Sequence, residues 1–192
     1  LSAAGDLYCW GQNSDGQLGV GDTTNRLSPT QIPNPLGRPW MHVDAKFIHT
    51  CALDNTGDAW CWGDNEVGSY PTINSLGTGS TAAKVLSPEP VIMPIGRTFS
   101  FIAVGDGHTC AIADNNTVWC WGDGGTGELG FGEKESRQYP TQTQPILSSS
   151  PVVSLSLDES ISCALTARGK PFCWGYGPLG LDLYGSIYIT AP

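Results

Sequence analysis

Six of the seven cysteines fall in pairs ten residues apart: Cys51 with Cys61, Cys110 with Cys120, and Cys163 with Cys173. Cysteines at a fixed spacing have three chemistries open to them: a disulfide, a metal site, or burial as small hydrophobes. Zinc sites use close pairs such as C-x-x-C, and the sequence has none. Burial as free thiols gives no reason for the same interval in each unit, so the spacing favours disulfides. The seventh cysteine, Cys9, has no partner at that interval.

Other side chains invite sharper chemistry and are weaker. His49 and His108 occupy one slot of a recurring His-Thr-Cys-Ala run, and Ile161 fills that slot in the last copy. A slot repeated in every unit is spread among the units, which points to structural hydrogen bonding rather than catalysis. His42 has no partner visible in the sequence. Gly122-Asp123-Gly124-Gly125-Thr126-Gly127 matches G-x-G-x-x-G, but the glycine-rich stretch after it will not open the helix that a dinucleotide phosphate needs. Asp22, Asp64, Asp123 and Glu133 lack the alternating acidic pattern of a calcium loop and read as solvated charge. With no nucleophile elbow, carboxylate pair or zinc-protease motif, no catalytic residue, metal ligand or cofactor is expected. Asn115-Asn116-Thr117 is the single N-x-[ST] sequon, and Asn115 is a candidate glycan acceptor.

A repeat must position these residues. Cys-Trp-Gly occurs at 9–11, 61–63, 120–122 and 173–175, each time after an aromatic residue (Tyr8, Trp60, Trp119, Phe172). Leu-Gly-x-Gly follows at 18–21, 76–79 and 129–132, with a weaker Leu179-Gly180-Leu181-Asp182, and then a proline at Pro29, Pro88, Pro140 and Pro192. Proline-to-proline distances are 59, 52 and 52, the long one carrying about seven extra residues near 70–83. A unit of this length suits a four-stranded propeller blade.

Val43, residues 102–104 and residues 152–157 predict a first strand, and the Thr-Cys-Ala-Leu run a second. Turn residues such as Asp54-Asn55-Thr56-Gly57 then lead to an aromatic third strand. If Cys51 faces Cys61, Leu53 faces Ala59 and the turn centres near Thr56, which brings the sulfurs within disulfide reach. Trp60 and Trp62 then share one face, suited to packing between blades, while Cys61 takes the other. No segment has the capped period of a long helix, so the expected fold is all-β, a β-propeller of four-stranded blades.

His108-Thr109-Cys110-Ala111, a turn, Cys120-Trp121-Gly122 and Gly127-Glu128-Leu129-Gly130 (Gly16-Gln17-Leu18-Gly19 in the first copy) together resemble the repeats of the regulator of chromosome condensation superfamily. The resemblance covers almost the whole chain. It implies a β-propeller, usually of about seven blades, that serves as a rigid disc for binding other macromolecules. The version with a cysteine on each hairpin strand resembles secreted members. On this reading residues 1–28 are the C-terminal half of a blade, 29–87 a blade with an insertion near 70–83, and 88–139 and 140–192 two further blades. About three and a half blades of a larger, seven-bladed ring are then expected, with the partner of Cys9 falling two residues before Leu1 and Cys9 unpaired.

Composition narrows the function. The 192 residues include 18 acidic and 9 basic side chains, a net charge of −9, which lacks the basic footprint for nucleic acid or an anionic membrane surface. With 40% hydrophobic residues and seven tryptophans the chain can build a core, and no apolar run approaches the roughly 20 residues of a membrane span. The expectation is a non-catalytic, extracellular binding or scaffold propeller that recognises a protein or glycan through its blade loops. Trp40, Tyr70, Arg137 and Tyr139 are the candidate contact residues. The alternative is a structural subunit of an extracellular assembly or filament, completed by further blades or neighbouring chains. Enzyme inhibition, chromatin binding with nucleotide exchange, and carbohydrate-active catalysis have less behind them.

Overall fold

A computed structural model describes residues 1–67, 70–146, 148, 150–177 and 187–189. It begins with an antiparallel ribbon of β1 (Leu7–Gly11) and β2 (Arg26–Ile32). In the sheet that follows, β3 (Trp40–Lys46), β4 (His49–Asp54) and β5 (Ala59–Asp64) pair in sequence order. A short hairpin of β6 (Glu66–Val67) and β7 (Tyr70–Asn74) intervenes before β8 (Lys84–Pro90) joins β5. The next sheet is β9 (Phe99–Val104), β10 (His108–Ala113), β11 (Val118–Gly122) and β12 (Arg137–Gln142). The last is β13 (Val152–Leu157), β14 (Ile161–Thr166), β15 (Pro171–Gly177) and β16 (Ile187–Ile189). All pairings are antiparallel, giving three and a half blades of a propeller.

The hairpin register is the one the cysteine spacing requires. Cys51 faces Cys61 and Leu53 faces Ala59, and Cys110 and Cys163 face Cys120 and Cys173 in the same way. All three pairs are disulfide-bonded, with Cα separations of 4.2, 4.1 and 4.1 Å. The glycine of Cys-Trp-Gly has a reason as well. A Cβ at Gly63 would stand 2.4 Å from Ile48 O, and one at Gly122 2.4 Å from Gly107 O, where the turn before the second strand crosses. Both glycines sit at a bulge with φ of 111° and 98°, a conformation that glycine alone adopts freely.

The fourth strand was not placed by the pattern of the sequence, because it carries proline and alternates poorly. Pro29, Pro88 and Pro140 lie inside β2, β8 and β12. Proline donates no backbone hydrogen bond, so it is tolerated on the outermost strand of a sheet and not within it. Sheets therefore begin at β3, β9 and β13, and units counted from the prolines at 29, 88 and 140 are out of phase with the blades. Pro192 and Leu179-Gly180-Leu181-Asp182 lie outside the described residues.

The first strand of each blade is innermost: β9 packs on both β3 and β13. The buried side chains of the three interfaces between successive sheets form two clusters. Trp40, Trp60, Trp62, Phe99 and Trp121 dominate one, and Ile112, Leu129, Leu155 and Trp174 the other. This inter-blade burial holds the disc together, since a single sheet has both faces apolar and cannot cover either alone.

Candidate functional site

Polar side chains stitch the blade interfaces. Gln17 O accepts from Trp62 Nε1 at 3.0 Å and from Thr50 Oγ1 at 2.8 Å, both in the next blade. Glu128 O does the same for Trp174 Nε1 and Ser162 Oγ, each at 2.8 Å. The histidine slot joins in: His49 Nε2 is hydrogen-bonded to Thr109 Oγ1 at 3.0 Å, and His108 Nε2 to Ser162 Oγ at 2.9 Å. Ser162 spends its hydroxyl proton on Glu128 O, so His108 Nε2 is the donor in that pair. Burial pushes the His49 imidazolium pKa down to about 4. Burial, with Lys46 and His49 nearby, pushes that of His108 down to about 3. Both rings are neutral at physiological pH and consumed in blade-to-blade contacts.

The inner rim is equally committed. His42 Nε2 bonds to Ile102 O at 2.8 Å and its ring lies 4.6 Å from that of Phe101. Asp44 Oδ2 accepts from Val104 N at 2.8 Å. Lys46 Nζ reaches past the middle blade to Leu157 O at 3.3 Å and to the Asp158 carboxylate. A recess of about 340 Å³ opens between β3, β9 and β13 beside these groups.

The longer loops leave from the opposite end of the blades to the hairpin tips. Two buried asparagines organise them. Asn13 Nδ2 donates to Asp22 O (2.7 Å) and Thr24 O (3.1 Å), while its Oδ1 accepts from Leu18 N (2.9 Å). Asn65 does the same with Ser80 O, Ala82 O and Leu76 N at 2.9, 2.9 and 3.2 Å. Both lie four residues after the Cys-Trp-Gly cysteine, a signal present in the sequence and easily read as ordinary loop polarity.

Charge is divided unequally between the two ends. Among the described residues the loop end comprises segments 12–26, 46–48, 64–67, 70–84, 105–107, 123–137 and 158–160, and holds eleven acidic side chains, of which Glu128 is buried, and five basic ones. The hairpin-tip end comprises segments 1–6, 33–39, 54–58, 91–98, 113–117 and 166–170, and holds four of each. Ion pairs at the loop end, Asp15 with Lys84 (2.9 Å) and Asp22 with Arg26 (2.7 Å), use part of the basic charge. Asp106 and Glu159, in the turns next to the inner rim, have no ion-pair partner among the described residues. Phe47, 77% exposed, stands in the neighbouring turn with a φ of 49°.

The sequence-derived contact residues scatter. Trp40 does not sit on a binding loop: it starts β3, is buried, donates from Nε1 to Ile32 O at 3.0 Å, and meets Trp60 edge-on at 6.2 Å. Pro39 ends the linker, and the indole that follows enters the core. Arg137, at the start of β12, is engaged by Glu133 and Glu135 and lies over the Phe131 ring at 5.3 Å. Tyr139, on the same outer strand, is 41% exposed. Tyr70 opens β7, and its side chain lies outside the described residues. Asn115 is exposed at a hairpin tip on the other end of the disc. Among the described residues no cluster of His, Cys, Asp and Glu could hold a metal.

β1 pairs only with β2 among the described residues, and its other edge is open. Trp10 is 59% exposed there, whereas Trp62, Trp121 and Trp174, in the same slot of complete blades, are 0% exposed. A groove of about 410 Å³ runs past Tyr8, Cys9, Trp10, Val43 and Phe47. Cys9 is a free thiol, and burial pushes its pKa up to about 11.

Two family models, both described as "Regulator of chromosome condensation (RCC1) repeat", match the chain, one over residues 4–53 and 115–165, the other over 42–69 and 99–128. The Ultraviolet-B receptor UVR8 of Arabidopsis thaliana is 32% identical over 180 residues, covering 94% of this chain and 39% of that protein. Human WBSCR16 superposes with a TM-score of 0.79 at 23% identity, covering 91% of this chain and 44% of the other, a likeness of fold. Prp20p of Saccharomyces cerevisiae superposes with a TM-score of 0.75 at 26% identity, covering 95% of this chain and 45% of the other. The chain thus spans less than half the length of each of these proteins.

Proposed function

Because the chain belongs to the regulator of chromosome condensation (RCC1) repeat family, we propose that it is a non-catalytic binding propeller, working outside the cell, that docks a lysine- and arginine-rich protein partner on its loop end. One observation carries this reading: eleven acidic against five basic side chains at that end, with balance at the other. A one-sided field of this kind steers a basic partner and orients it before contact. Phe47, exposed and held in the left-handed region, supplies an aromatic anchor at the same end. The description of Prp20p by its binding to Gsp1p and histones supports a protein partner. Three disulfides support an oxidising, extracellular compartment.

The test uses a fluorescent oligolysine peptide, with oligoglutamate as control, in fluorescence anisotropy at low and physiological salt. Salt-sensitive binding of oligolysine alone is expected, weakened about tenfold or more by the double variant Asp106→Lys/Glu159→Lys. Equal binding by the variant sinks the proposal. A neutral glycan partner would be indifferent to the charge reversal, which separates that reading from this one.

The open edge of β1 favours a second reading, in which more strands complete the first blade and the disc is part of a larger ring, of about seven blades, or of an assembly. Light scattering and negative-stain imaging of the full-length protein distinguish discrete discs from filaments.

A further inference from the structure

We propose that Asn115 is an N-glycosylation site and that its glycan marks the hairpin-tip end of the disc, leaving the acidic loop end clear. The proposal rests on the extracellular reading above.

The local geometry goes beyond the three-residue motif. Asn115 lies in the turn between β10 and β11, closed by Asn116 N donating to Ala113 O (2.9 Å) and Ala113 N to Thr117 O (2.9 Å). Asn116 takes the left-handed conformation, φ 62°, that turns the chain back. Within this turn Asn115 Oδ1 accepts from Thr117 Oγ1 at 2.6 Å and from Thr117 N at 3.3 Å. Thr117 Oγ1 in turn accepts from Trp119 Nε1 at 2.8 Å. Trp119 thus fixes the threonine hydroxyl, and the hydroxyl fixes the carboxamide by its oxygen. The nitrogen Nδ2 is left exposed and makes no hydrogen bond to the described residues.

Asn115 itself is exposed, and a trough adjoins the rest of the sequon. Asn116, Thr117 and Val118 border a trough of about 410 Å³ whose far wall includes Gln142, Pro145 and Pro151. The tips of the neighbouring blades, Asn55-Thr56-Gly57 and Ala167-Arg168-Gly169, lack a sequon, so one blade carries the mark.

The reaction takes a lipid-pyrophosphate-linked oligosaccharide as donor. A bond forms between Asn115 Nδ2 and the anomeric carbon of the first sugar, and the bond from that carbon to the pyrophosphate oxygen breaks. The lipid pyrophosphate leaves with the bonding pair, and the amide proton passes to base.

The test is to direct the chain into the secretory pathway of a eukaryotic host and measure intact mass before and after peptide-N-glycosidase. One glycan is expected on the unaltered chain and on Thr117→Ser, which keeps the hydroxyl, and none on Asn115→Gln or Thr117→Val. A chain that is secreted with its three disulfides formed but loses no mass to the glycosidase overturns the site. Binding of oligolysine by the glycosylated chain is read separately: equal affinity with and without the glycan is expected, and a glycan that blocks binding would refute its placement away from the docking end.

Discussion

The indole of Trp62 rests on Gly19, in the preceding blade: a Cβ at Gly19 would stand 2.6 Å from Trp62 Nε1. Gly77 lies under Trp121 and Gly130 under Trp174 in the same way, at 2.9 and 2.8 Å, and all three glycines have φ of 75°. The Leu-Gly motif and the Cys-Trp-Gly motif, which look like two features of one repeat, are the two sides of one contact between successive blades.

Gly19→Ala is therefore expected to destabilise twice over, by the left-handed backbone and by overpacking against the indole, together about 3 kcal/mol. Gly37 has a φ of 68° and nothing within 4 Å, so Gly37→Ala should cost only the backbone part, about 1 kcal/mol. Urea unfolding of the two variants separates the packing contribution.

Thiol titration has a definite expectation. The native chain should yield one slowly reacting thiol, Cys9, whose pKa near 11 leaves little thiolate at neutral pH. After reduction and unfolding it should yield seven. Replacing Cys110 and Cys120 together by alanine should lower stability by about 2.5 to 3 kcal/mol, the entropy of closing a ten-residue loop. A native count above one would show that a hairpin is not cross-linked.

Stability should fall on mild acidification. His49 and His108 titrate near 6.5 when unfolded but at about 4 and about 3 when folded, because burial disfavours the cation. Between those values the unfolded chain binds the extra protons, so the contribution is complete above pH 6.5 and lost as pH drops below it. The slope is about 1.4 kcal/mol per pH unit for each ring. Urea midpoints between pH 7 and pH 5 should show it, and His49→Asn should reduce the slope whatever its effect at pH 7.

Asp54 should matter more than its visible partner Arg38. Its solvent-inaccessible carboxylate accepts from Thr56 N, Thr56 Oγ1 and Trp60 Nε1 at 2.9, 2.6 and 3.2 Å, and from Arg38 Nη1 at 3.1 Å. Burial raises its pKa, and the hydrogen bonds outweigh burial to hold it below the usual carboxylate range. Asp54→Ala orphans the buried donors and should cost about 2 kcal/mol or more. Arg38→Ala removes a partly exposed partner and should cost clearly less by the same unfolding measurement.

The parts of the fold that depend on near neighbours were legible. Cys51 faces Cys61 because a ten-residue interval with a turn at its centre permits one register, and the same arithmetic paired Leu53 with Ala59. That Trp62 packs between blades was legible from its face of the strand, but its partner was not, since nothing in the sequence near Gly19 mentions Trp62. The outer strands escaped notice because Pro29, Pro88 and Pro140 speak against a strand unless its outermost position is known. Trp40 is a large aromatic that the sequence alone offers equally to a contact surface or a core, and its burial against Ile32 O and Trp60 needs the fold. The division of charge needed topology: Asp106 and Glu159 are 53 positions apart and share an end only because every blade runs the same way.

Lys46 spans the middle blade to reach Asp158, and Gly105 lies in its path, where a Cβ would stand 2.9 Å from Asp158 O and 2.4 Å from the His108 ring. Geometrically this is a chord drawn across an arc. Curvature per blade determines how many blades close a circle and how wide the central bore becomes. The Lys46–Asp158 pair, solvent-accessible on both side chains, ties the first and third blades across the second, while the apolar layers between blades carry the strength that holds that curvature.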